Sequence, residues 1–247
     1  MLNNMEKINF SVPQIIQMDA EQTNSFYWNL KKNCINYLIN KFHDPDGNTL
    51  DIGCGTGFVI AGANLDYKKY LGMDAFPEAE FYLKKNLSSN VRFTSLPLKS
   101  IGEEKYDLIL LLDVLEHISQ DNLFLRSIKE LMHNRSKIIL SVPAHQWLFS
   151  KADIMSGHER RYSFDGLSKI LHSEGFEIIF KSSFLVLTLP LLVISRLCNF
   201  IKRNQKNEHA GFINKLLFKL NILDYLIFKN LRPKFGGTIV VVCKLRG

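Results

Sequence analysis

Short apolar runs alternate with segments of helical pattern along most of this 247-residue chain. The fourth run, Tyr106–Leu112, is apolar almost throughout rather than alternating, which is typical of a strand that helices cover on both faces. Strands that alternate with helices in this way predict an α/β fold with a mostly parallel sheet. Seven strands are expected, at Thr49–Ile52, Tyr70–Met73, Val91–Thr94, Tyr106–Leu112, Lys137–Val142, Phe176–Phe180 and Thr238–Leu245.

Apolar residues at helical spacing fill the gaps between these strands. A first, N-terminal helix is expected over about residues 20–43, ended by the breakers Pro45 and Gly47. Further helices are expected at Phe58–Leu65, Pro77–Leu87, Asp121–Met132 and Ser163–Ser173. The sequence contains no internal repeat, and its length is that of one large domain, so we expect a single domain over residues 1–247.

The net charge of +7 is concentrated in one late segment. Residues 183–235 hold nine Lys/Arg and two Asp/Glu, whereas the rest of the chain has 22 of each sign. A nucleic-acid enzyme more often spreads its positive charge along a binding face, so no nucleic-acid partner is expected. A segment that is both basic and apolar instead favours an anionic membrane surface as partner.

The same segment interrupts the strand–helix alternation before the last strand. Phe184–Ile201 has thirteen apolar residues in eighteen, which is short and interrupted for a spanning helix of about 20 residues. One face of an amphipathic helix follows, formed by Ile213, Leu216, Leu217, Leu220, Leu223 and Ile227. We interpret residues 183–235 as a helical insertion that contacts a membrane; a lid over the substrate cleft and a dimer contact are the alternatives.

The four cysteines lie far apart without a C-x-x-C pair, so neither a disulfide scaffold nor a structural zinc site is expected. A reducing cytosol fits this usage. The first twenty residues contain no unbroken apolar run and predict no secretory signal. We therefore expect a cytoplasmic location, peripheral on the inner face of the cell membrane if the basic segment contacts it.

A glycine-rich turn follows the first predicted strand, where Asp51 precedes Gly53, Gly55 and Gly57. Glycines let backbone N–H groups approach a ligand without Cβ atoms in the way. A dinucleotide fingerprint needs G-x-G-x-x-G and a P-loop needs Gly-Lys-Ser/Thr, and this turn has neither. The second strand is followed by Asp74, a carboxylate that can accept both hydroxyls of a ribose at the same sheet edge.

These motifs resemble those of class I S-adenosylmethionine-dependent methyltransferases over about residues 21–181 and the final strand. The nearest subgroup is similar to methyltransferase types 11 and 12 and is associated with bacterial cell-surface or lipid pathways. The resemblance implies a Rossmann-like seven-stranded sheet, helices on both faces, an antiparallel last strand, and S-adenosylmethionine as cofactor. It assigns to the cofactor Asp51, Gly53, Gly55, Gly57, Asp74, Ala75, Ser95, Leu96 and Asp113.

The chain beyond the fifth strand resembles the same subgroup on its acceptor side. There His158, Arg160 and Arg161 can clamp a phosphate or carboxylate of the acceptor. The alternative is that one arginine pairs with a local acid such as Asp153 and fixes the loop. The residues expected to bind the acceptor are Trp28, His158, Arg160, Arg161 and Tyr162.

Two histidines, His145 and His117, are expected to be catalytic, because either can take a proton from a hydroxyl acceptor. A structural hydrogen bond is the alternative role for each. Asp113, Glu116 and His117 resemble the acid-x-x-Glu-His run of quinone-type O-methyltransferases, for which a divalent metal has been proposed. Because Glu-His after the fourth strand is common in the wider family without metal, no metal ion is expected here.

The sequence thus predicts an S-adenosylmethionine-dependent methyltransferase with a lipid-linked, glycolipid or other amphipathic acceptor near the membrane. No Asn-Pro-Pro-Tyr run follows the fourth strand, which favours oxygen over nitrogen as the methylated atom. Two alternatives stay open. One is a soluble small-molecule methyltransferase whose insertion is a lid, and the other is a non-catalytic cofactor-binding subunit that docks on a membrane glycosyltransferase.

Overall fold

The structure is a computed structural model that describes residues 12–190, 193 and 209–247. Its α-helices are α1 (Val12–Gln22), α2 (Phe26–Phe42), α3 (Ala79–Asn86), α4 (Asp121–Lys129), α5 (Lys151–Met155), α6 (Phe164–Ser173) and α7 (His209–Leu231). Its strands are β1 (Thr49–Ile52), β2 (Tyr70–Met73), β3 (Arg92–Thr94), β4 (Tyr106–Leu112), β5 (Met132–Pro143), β6 (Phe176–Phe184) and β7 (Thr238–Leu245).

The seven strands form one sheet in the order β3-β2-β1-β4-β5-β7-β6. Pairing is parallel from β3 through to β5, whereas β7 is antiparallel to both β5 and β6. This arrangement confirms the predicted Rossmann-like fold and its antiparallel last strand. The strand order reverses between β1 and β4, which places a ligand crevice at the carboxyl ends of these two strands.

Two hydrophobic clusters cover the two faces of the sheet. Successive residues of β4 alternate between them: Leu108 and Leu110 pack with α2, and Ile109 and Leu111 pack with α4 and α6. The side chains of a strand alternate in this way, so a strand buried on both sides must be apolar at every position. The uninterrupted apolar pattern of this run is thereby explained.

The N-terminal helix predicted over residues 20–43 is two helices, because α1 ends at Gln22 and α2 begins at Phe26. Ser25 lies between them in an extended conformation and caps α2, accepting a hydrogen bond from Trp28 N. Asn29 donates to the carbonyls of residues 22, 23 and 25 and so ties the break together. Polar residues that bond to nearby backbone favour such breaks over a continuous helix.

The helix predicted at Phe58–Leu65 is only a 3₁₀ turn, Phe58–Ile60. Gly57 before it and Gly62 after it have positive φ angles of 73° and 84°. Two left-handed residues five positions apart leave too little chain between them for an α-helix, whose nucleation is unfavourable at this length. The glycine turn is therefore followed by a loop rather than by the expected helix.

The described part of the predicted insertion contains α7, whereas its first two residues, Ser183 and Phe184, belong to β6. Helix α7 packs on α2 and β6 through Phe228, whose ring contacts Tyr37, Phe180 and Phe184. The predicted apolar face does not match the buried one, since Leu223 is 51% exposed. Residues 191–192 and 194–208, part of the predicted insertion, lie outside the described residues. Among the described helices, none is long and apolar enough to cross a membrane.

Candidate functional site

The glycine turn is fixed to the end of β2 by backbone hydrogen bonds. The N–H groups of Gly53 and Cys54 both donate to Met73 O, at 2.7 and 3.1 Å. Gly55 N donates to Asp74 Oδ2 at 2.9 Å, and Phe76 N donates to Asp74 Oδ1 at 3.1 Å. The carboxylate after β2 therefore lies directly against the turn after β1, as the motifs predict.

A cleft of about 360 Å³ opens beside this turn. Most of the predicted cofactor residues line it, and so do Trp28, His117 and His158 from the predicted catalytic and acceptor sets. Helix α1 lies against the turn: Thr56 Oγ1 donates a hydrogen bond to Oε1 of Gln22, the last residue of α1, at 2.6 Å. The predicted cofactor residues that line the cleft are Asp51, Gly53, Gly55, Gly57, Asp74, Ala75 and Asp113.

Asp51 is a buried acid on the wall of the cleft. Its Oδ2 accepts a hydrogen bond from the Tyr70 hydroxyl at 2.8 Å, while Oδ1 has no hydrogen-bond partner in the described residues. Burial raises the pKa of Asp51 to about 7, and the nearby Asp74 adds to this rise. An unpartnered buried acceptor of this kind is suited to a cationic or hydrogen-bonding group of a ligand.

Asp113 lies at the carboxyl end of β4 in a left-handed backbone conformation, with φ of 60°. Such conformations cluster at functional sites in non-glycine residues. Its Oδ2 accepts from Lys31 Nζ at 2.7 Å and from the Tyr27 hydroxyl at 3.0 Å, and its Oδ1 accepts from Ser141 Oγ at 2.7 Å. Burial opposes ionisation, but Lys31 and these hydrogen bonds hold the pKa of Asp113 below its usual value.

Lys31 is a site residue that the predicted set does not include. Tyr27 and Lys31 are four residues apart on α2, so they share a helix face and reach the same carboxylate oxygen. The Lys31 side chain is buried, and its ammonium lies 5.3 Å from the centre of the Trp28 ring. One feature of the sequence indicates its role: Lys31 lies at helical spacing within the apolar face of the predicted helix. A charge on that face is buried and therefore needs a partner.

The acceptor side of the cleft contains a buried carboxylate and two imidazoles. Glu116 is fully buried, and neither of its carboxylate oxygens has a hydrogen-bond partner in the described residues. His117 donates from Nδ1 to Gly157 O at 3.1 Å, and His158 donates from Nδ1 to Asp153 Oδ1 at 3.1 Å. Burial and the neighbouring His158 lower the pKa of His117, and burial and Asp113 raise that of Glu116.

The predicted anion clamp is occupied by internal partners. Arg161 binds Asp153 at 2.7 Å, which is the alternative pairing considered from the sequence. Arg160 pairs with Asp121 and Glu159, and the Tyr162 hydroxyl donates to Asp121 at 3.0 Å. These ion pairs fix the loop that carries His158.

Six predicted residues do not line the cleft: Arg160, Arg161 and Tyr162 of the loop just described, and three others. Ser95 and Leu96 follow β3, the edge strand of the sheet; both are exposed and lie outside the cleft. His145 also lies outside it, in a left-handed conformation with φ of 64°, and its ring packs beside Trp147 and Phe235. The geometry therefore brings His117, but not His145, to the place where an acceptor would lie.

A second cavity of about 280 Å³ adjoins the cleft and shares Tyr27, Asp113 and His158 with it. Its remaining lining combines apolar side chains with Glu116 and Arg161. Ligand pockets typically have this mixture of mainly apolar walls and a few polar groups. A donor cleft beside the glycine turn thus continues into a space that suits an acceptor.

The strand order, the G-x-G-x-G turn and the acid after β2 together define a class I methyltransferase. A family model for a methyltransferase domain matches residues 30–180. It covers more than half of the chain, which therefore belongs to this methyltransferase-domain family. The match confirms the predicted enzyme class, whose cofactor is S-adenosylmethionine, whereas the cell-surface or lipid subgroup stays a prediction.

Solved structures share the fold at low sequence identity. A methyltransferase from Archaeoglobus fulgidus is 18% identical, with 93% of this chain and 98% of that chain covered and a TM-score of 0.55. The 1,6-didemethyltoxoflavin-N1-methyltransferase from Burkholderia thailandensis, solved with S-adenosylhomocysteine, is 14% identical, with 96% and 92% covered and a TM-score of 0.54.

The cyclase SpnF is also similar, at 15% identity, with 87% of this chain and 80% of that chain covered and a TM-score of 0.55. No curated protein matches the sequence significantly. Likeness at these identities shows the fold alone, and a cyclase among the neighbours illustrates that the fold does not decide the reaction.

Proposed function

We propose that the protein transfers a methyl group from S-adenosylmethionine to an oxygen atom of an amphipathic or lipid-linked acceptor at a membrane surface. The observation that carries the donor half is the contact of Asp74 with Gly55 N on the wall of the 360 Å³ cleft. This contact places a carboxylate and exposed glycine backbone at one sheet edge, where parallel-sheet enzymes bind nucleotide-like ligands.

The lining of the cleft fits S-adenosylmethionine, which supplies an activated methyl group when bound. Asp74 uses one lone pair of each oxygen on backbone N–H groups, so it retains acceptor capacity for the ribose hydroxyls. Ala75 and Phe76 offer an apolar surface for the adenine. Asp113, whose pKa is lowered, places a carboxylate near the cationic methionine part, and the unpartnered Oδ1 of Asp51 offers that part a hydrogen-bond acceptor.

The acceptor half is assigned to the second cavity and to the Glu116, His117 and His158 side chains on its boundary with the cleft. The protein's main task in methyl transfer is to align the acceptor oxygen with the methyl carbon and to exclude water, which can lower the barrier by about 7–11 kcal/mol in the best cases. A hydroxyl acceptor must also lose its proton, and a neutral imidazole can assist that step.

Calorimetry with S-adenosylmethionine tests the donor half. Asp74→Asn removes a charged hydrogen-bond acceptor worth about 1.5–3 kcal/mol, so the Kd should rise about 10- to 100-fold. The matched control is Asp46→Asn, an exposed aspartate far from the cleft lining. Equal affinity of the two variants would remove Asp74 from the donor site.

Transfer of a labelled methyl group to a lipid extract of the source cells tests the acceptor half. The proposal expects label in an amphipathic product and no label with heat-treated protein. Label only in water-soluble compounds would support the small-molecule alternative. Tight donor binding without any transfer would support the non-catalytic docking subunit.

The membrane part of the proposal rests on the outer face of α7. Phe218, Ile222, Leu223 and Leu226 are exposed there, Ile222 by 64%. Lys219 and Lys229 are exposed on the same side of the helix, within the segment that carries the whole net charge. An apolar stripe flanked by lysines is typical of helices that lie in an anionic lipid interface.

Sedimentation with vesicles tests this contact. The double variant Ile222→Ser/Leu226→Ser should lose binding to phosphatidylglycerol vesicles at low salt, and wild type should bind neutral phosphatidylcholine vesicles weakly. Phe81→Ser is the matched control, because Phe81 is 68% exposed on α3. Equal sedimentation of wild type and the double variant would contradict membrane contact and favour a lid or dimer face.

A further inference from the structure

Glu116 presents a chemical problem that the methyl donor does not solve. It is fully buried, and both of its carboxylate oxygens lack a hydrogen-bond partner in the described residues. His158 Nε2 lies 4.0 Å from Glu116 Oε1, which is too far for a hydrogen bond. A buried carboxylate without partners is strongly unfavourable, so this position calls for a proton or a cation.

His117 and His158 are oriented in the way that metal-binding histidines are. Each donates its Nδ1 hydrogen to a fixed acceptor, Gly157 O for the first and Asp153 for the second. Asp153 is itself held by Arg161, which keeps the His158 ring in place. A histidine that ligates a metal through Nε2 usually donates its other ring nitrogen to a carbonyl or carboxylate in this manner.

We propose that Glu116, His117 and His158 bind a divalent transition-metal ion. One ligand atom from each lies within 4.8 Å of the others, a spacing that a single ion can bridge after small side-chain rotations. Two imidazoles and one carboxylate suit zinc, iron, cobalt or nickel rather than calcium or magnesium. The ion would supply both oxygens of Glu116 with the partner that they lack.

Asp113 is not a member of this site, although it stands three residues before Glu116. Both of its oxygens are engaged, by Lys31 and Tyr27 on one side and by Ser141 on the other. The ligand set therefore differs from the acid-x-x-Glu-His run in the sequence, because the third ligand comes from the loop after α5. Sequence spacing alone did not indicate His158 as a ligand.

The position of the site suggests its use, a step that rests on the proposed function. His117 and His158 line the donor cleft, while Glu116 and His158 line the second cavity. Three protein ligands leave coordination positions open, as in catalytic rather than structural sites. An ion at this boundary would hold and acidify an oxygen of the acceptor, and His117 would then be a ligand instead of the predicted base.

Titration of the full-length protein with Co²⁺, followed by its visible absorption bands and by calorimetry with Zn²⁺, tests the site. Wild type should bind one ion, and Glu116→Gln and His158→Asn should each weaken binding at least tenfold. His172→Asn is the matched control, since His172 is exposed on α6. Binding of equal strength in wild type and both variants would overturn the proposal, as would no binding by wild type.

Thermal unfolding separates the metal from a simple proton on Glu116. Without metal, Glu116→Gln should unfold at the same temperature as wild type or higher, since it removes an unpartnered buried carboxyl group. With Zn²⁺, only wild type should gain stability. Calorimetry with S-adenosylmethionine on Glu116→Gln, at a residue that lines only the second cavity, should show unchanged affinity, so loss of metal binding and failure of the proposed methyl-donor site give different results.

Discussion

The donor edge and the acceptor side of the cleft are built in different ways. The donor edge joins two neighbouring strand ends, and its key contacts are between backbone N–H groups and one carboxylate, Asp74. The acceptor side brings together α2, the end of β4 and the loop after α5, through side chains such as Lys31, Glu116 and His158. Backbone geometry thus dominates one region and long-range side-chain pairing the other.

This difference predicts which region loses more stability when a single side chain changes. At the donor edge most contacts survive a substitution, because the backbone makes them. On the acceptor side one substitution leaves a buried charge without its partner, which costs more than the lost contact itself. The predictions below compare the two regions in order of decreasing effect.

Lys31→Met should be the most damaging change. It leaves the carboxylate of Asp113 without its cation in a largely buried place, and breaking a buried pair costs about 3–5 kcal/mol. Urea denaturation measures the free energy of unfolding. Lys32→Met is the matched control, because Lys32 is only partly buried against the Phe58 ring and should change stability by less than about 1 kcal/mol.

The double variant Lys31→Met/Asp113→Asn sharpens the same comparison. Removing the charge of Asp113 as well should recover part of the lost stability, because the uncompensated carboxylate is then absent. If the double variant were as unstable as the sum of the two single variants, the pair would not be coupled, and the contrast between the two regions would fail.

Gly53→Ala should be the most harmful change at the donor edge. Gly53 has a φ of 72°, and an added Cβ would lie 2.6 Å from Val114 Cγ2. The left-handed conformation alone costs about 1–2 kcal/mol for a residue with a Cβ, and the close contact adds to it. We expect a loss of about 2–3 kcal/mol in urea denaturation.

Gly62→Ala measures the cost of a left-handed backbone without the close Cβ contact that Gly53→Ala also introduces. Gly62 has a φ of 84°, but nothing lies within 4 Å of the Cβ position. It should cost only the conformational part, about 1–2 kcal/mol, and leave the affinity for S-adenosylmethionine unchanged. Equal losses for both variants in stability and donor binding would show that the close approach at Gly53 has no role of its own.

The same contrast explains what the sequence could predict. The seven strands and the contact between Asp74 and the glycine turn follow from local patterns, since adjacent parallel strands bring their carboxyl ends together, whereas the antiparallel last strand was implied by the family resemblance alone. The pairing of Lys31 with Asp113 joins residues 82 positions apart, and the lysine on an apolar helix face does not by itself identify its partner. His145 follows a strand, as the prediction required, but its ring packs beside Trp147 and Phe235 outside the cleft.

The predicted bounds of the first helix and the predicted face of α7 differ from the structure for a related reason. The single helix expected over residues 20–43 breaks before Phe26, because the short polar residues there bond to local backbone and end the first helix. In α7 the buried stripe contains Asn221, which donates to Phe26 O at 2.6 Å, and Asp224, which accepts from Val186 N at 3.0 Å. Such polar residues can lie on the buried face of a helix because they bond to distant backbone groups, whereas hydrophobic spacing predicts only apolar residues there.

Asp51→Asn should stabilise the protein in a pH-dependent way. The folded-state pKa of Asp51 is raised to about 7, so the native protein keeps its proton while the unfolded chain releases it at lower pH. The contribution of Asp51 to the free energy of unfolding therefore falls as pH rises from about 4, the pKa of this group in the unfolded chain, towards 7. The asparagine variant should equal wild type near pH 4 and exceed it by about 1–3 kcal/mol at pH 8.

Thermal and urea unfolding of the two proteins at pH 4, 6 and 8 measure this difference. The same variant should bind S-adenosylmethionine more weakly, because a neutral amide replaces a group that faces a cationic ligand. A stability difference that stays constant with pH would mean that Asp51 is ionised throughout. The donor edge would then hold a carboxylate of ordinary pKa, contrary to its burial.

Ser25→Ala should have the smallest effect on stability and a distinct effect on the acceptor side. Loss of an N-cap costs about 0.5–2 kcal/mol, and the 3.5 Å length of this bond favours the lower end. The cap fixes the start of α2 beside Tyr27 and Trp28, so Trp28 fluorescence should change in a Trp147→Phe background, which leaves one tryptophan. Ser163→Ala, which removes the cap of α6, should cost a similar amount without that change. If both cap variants altered Trp28 fluorescence equally, the acceptor side would respond to global loosening rather than to the position of α2.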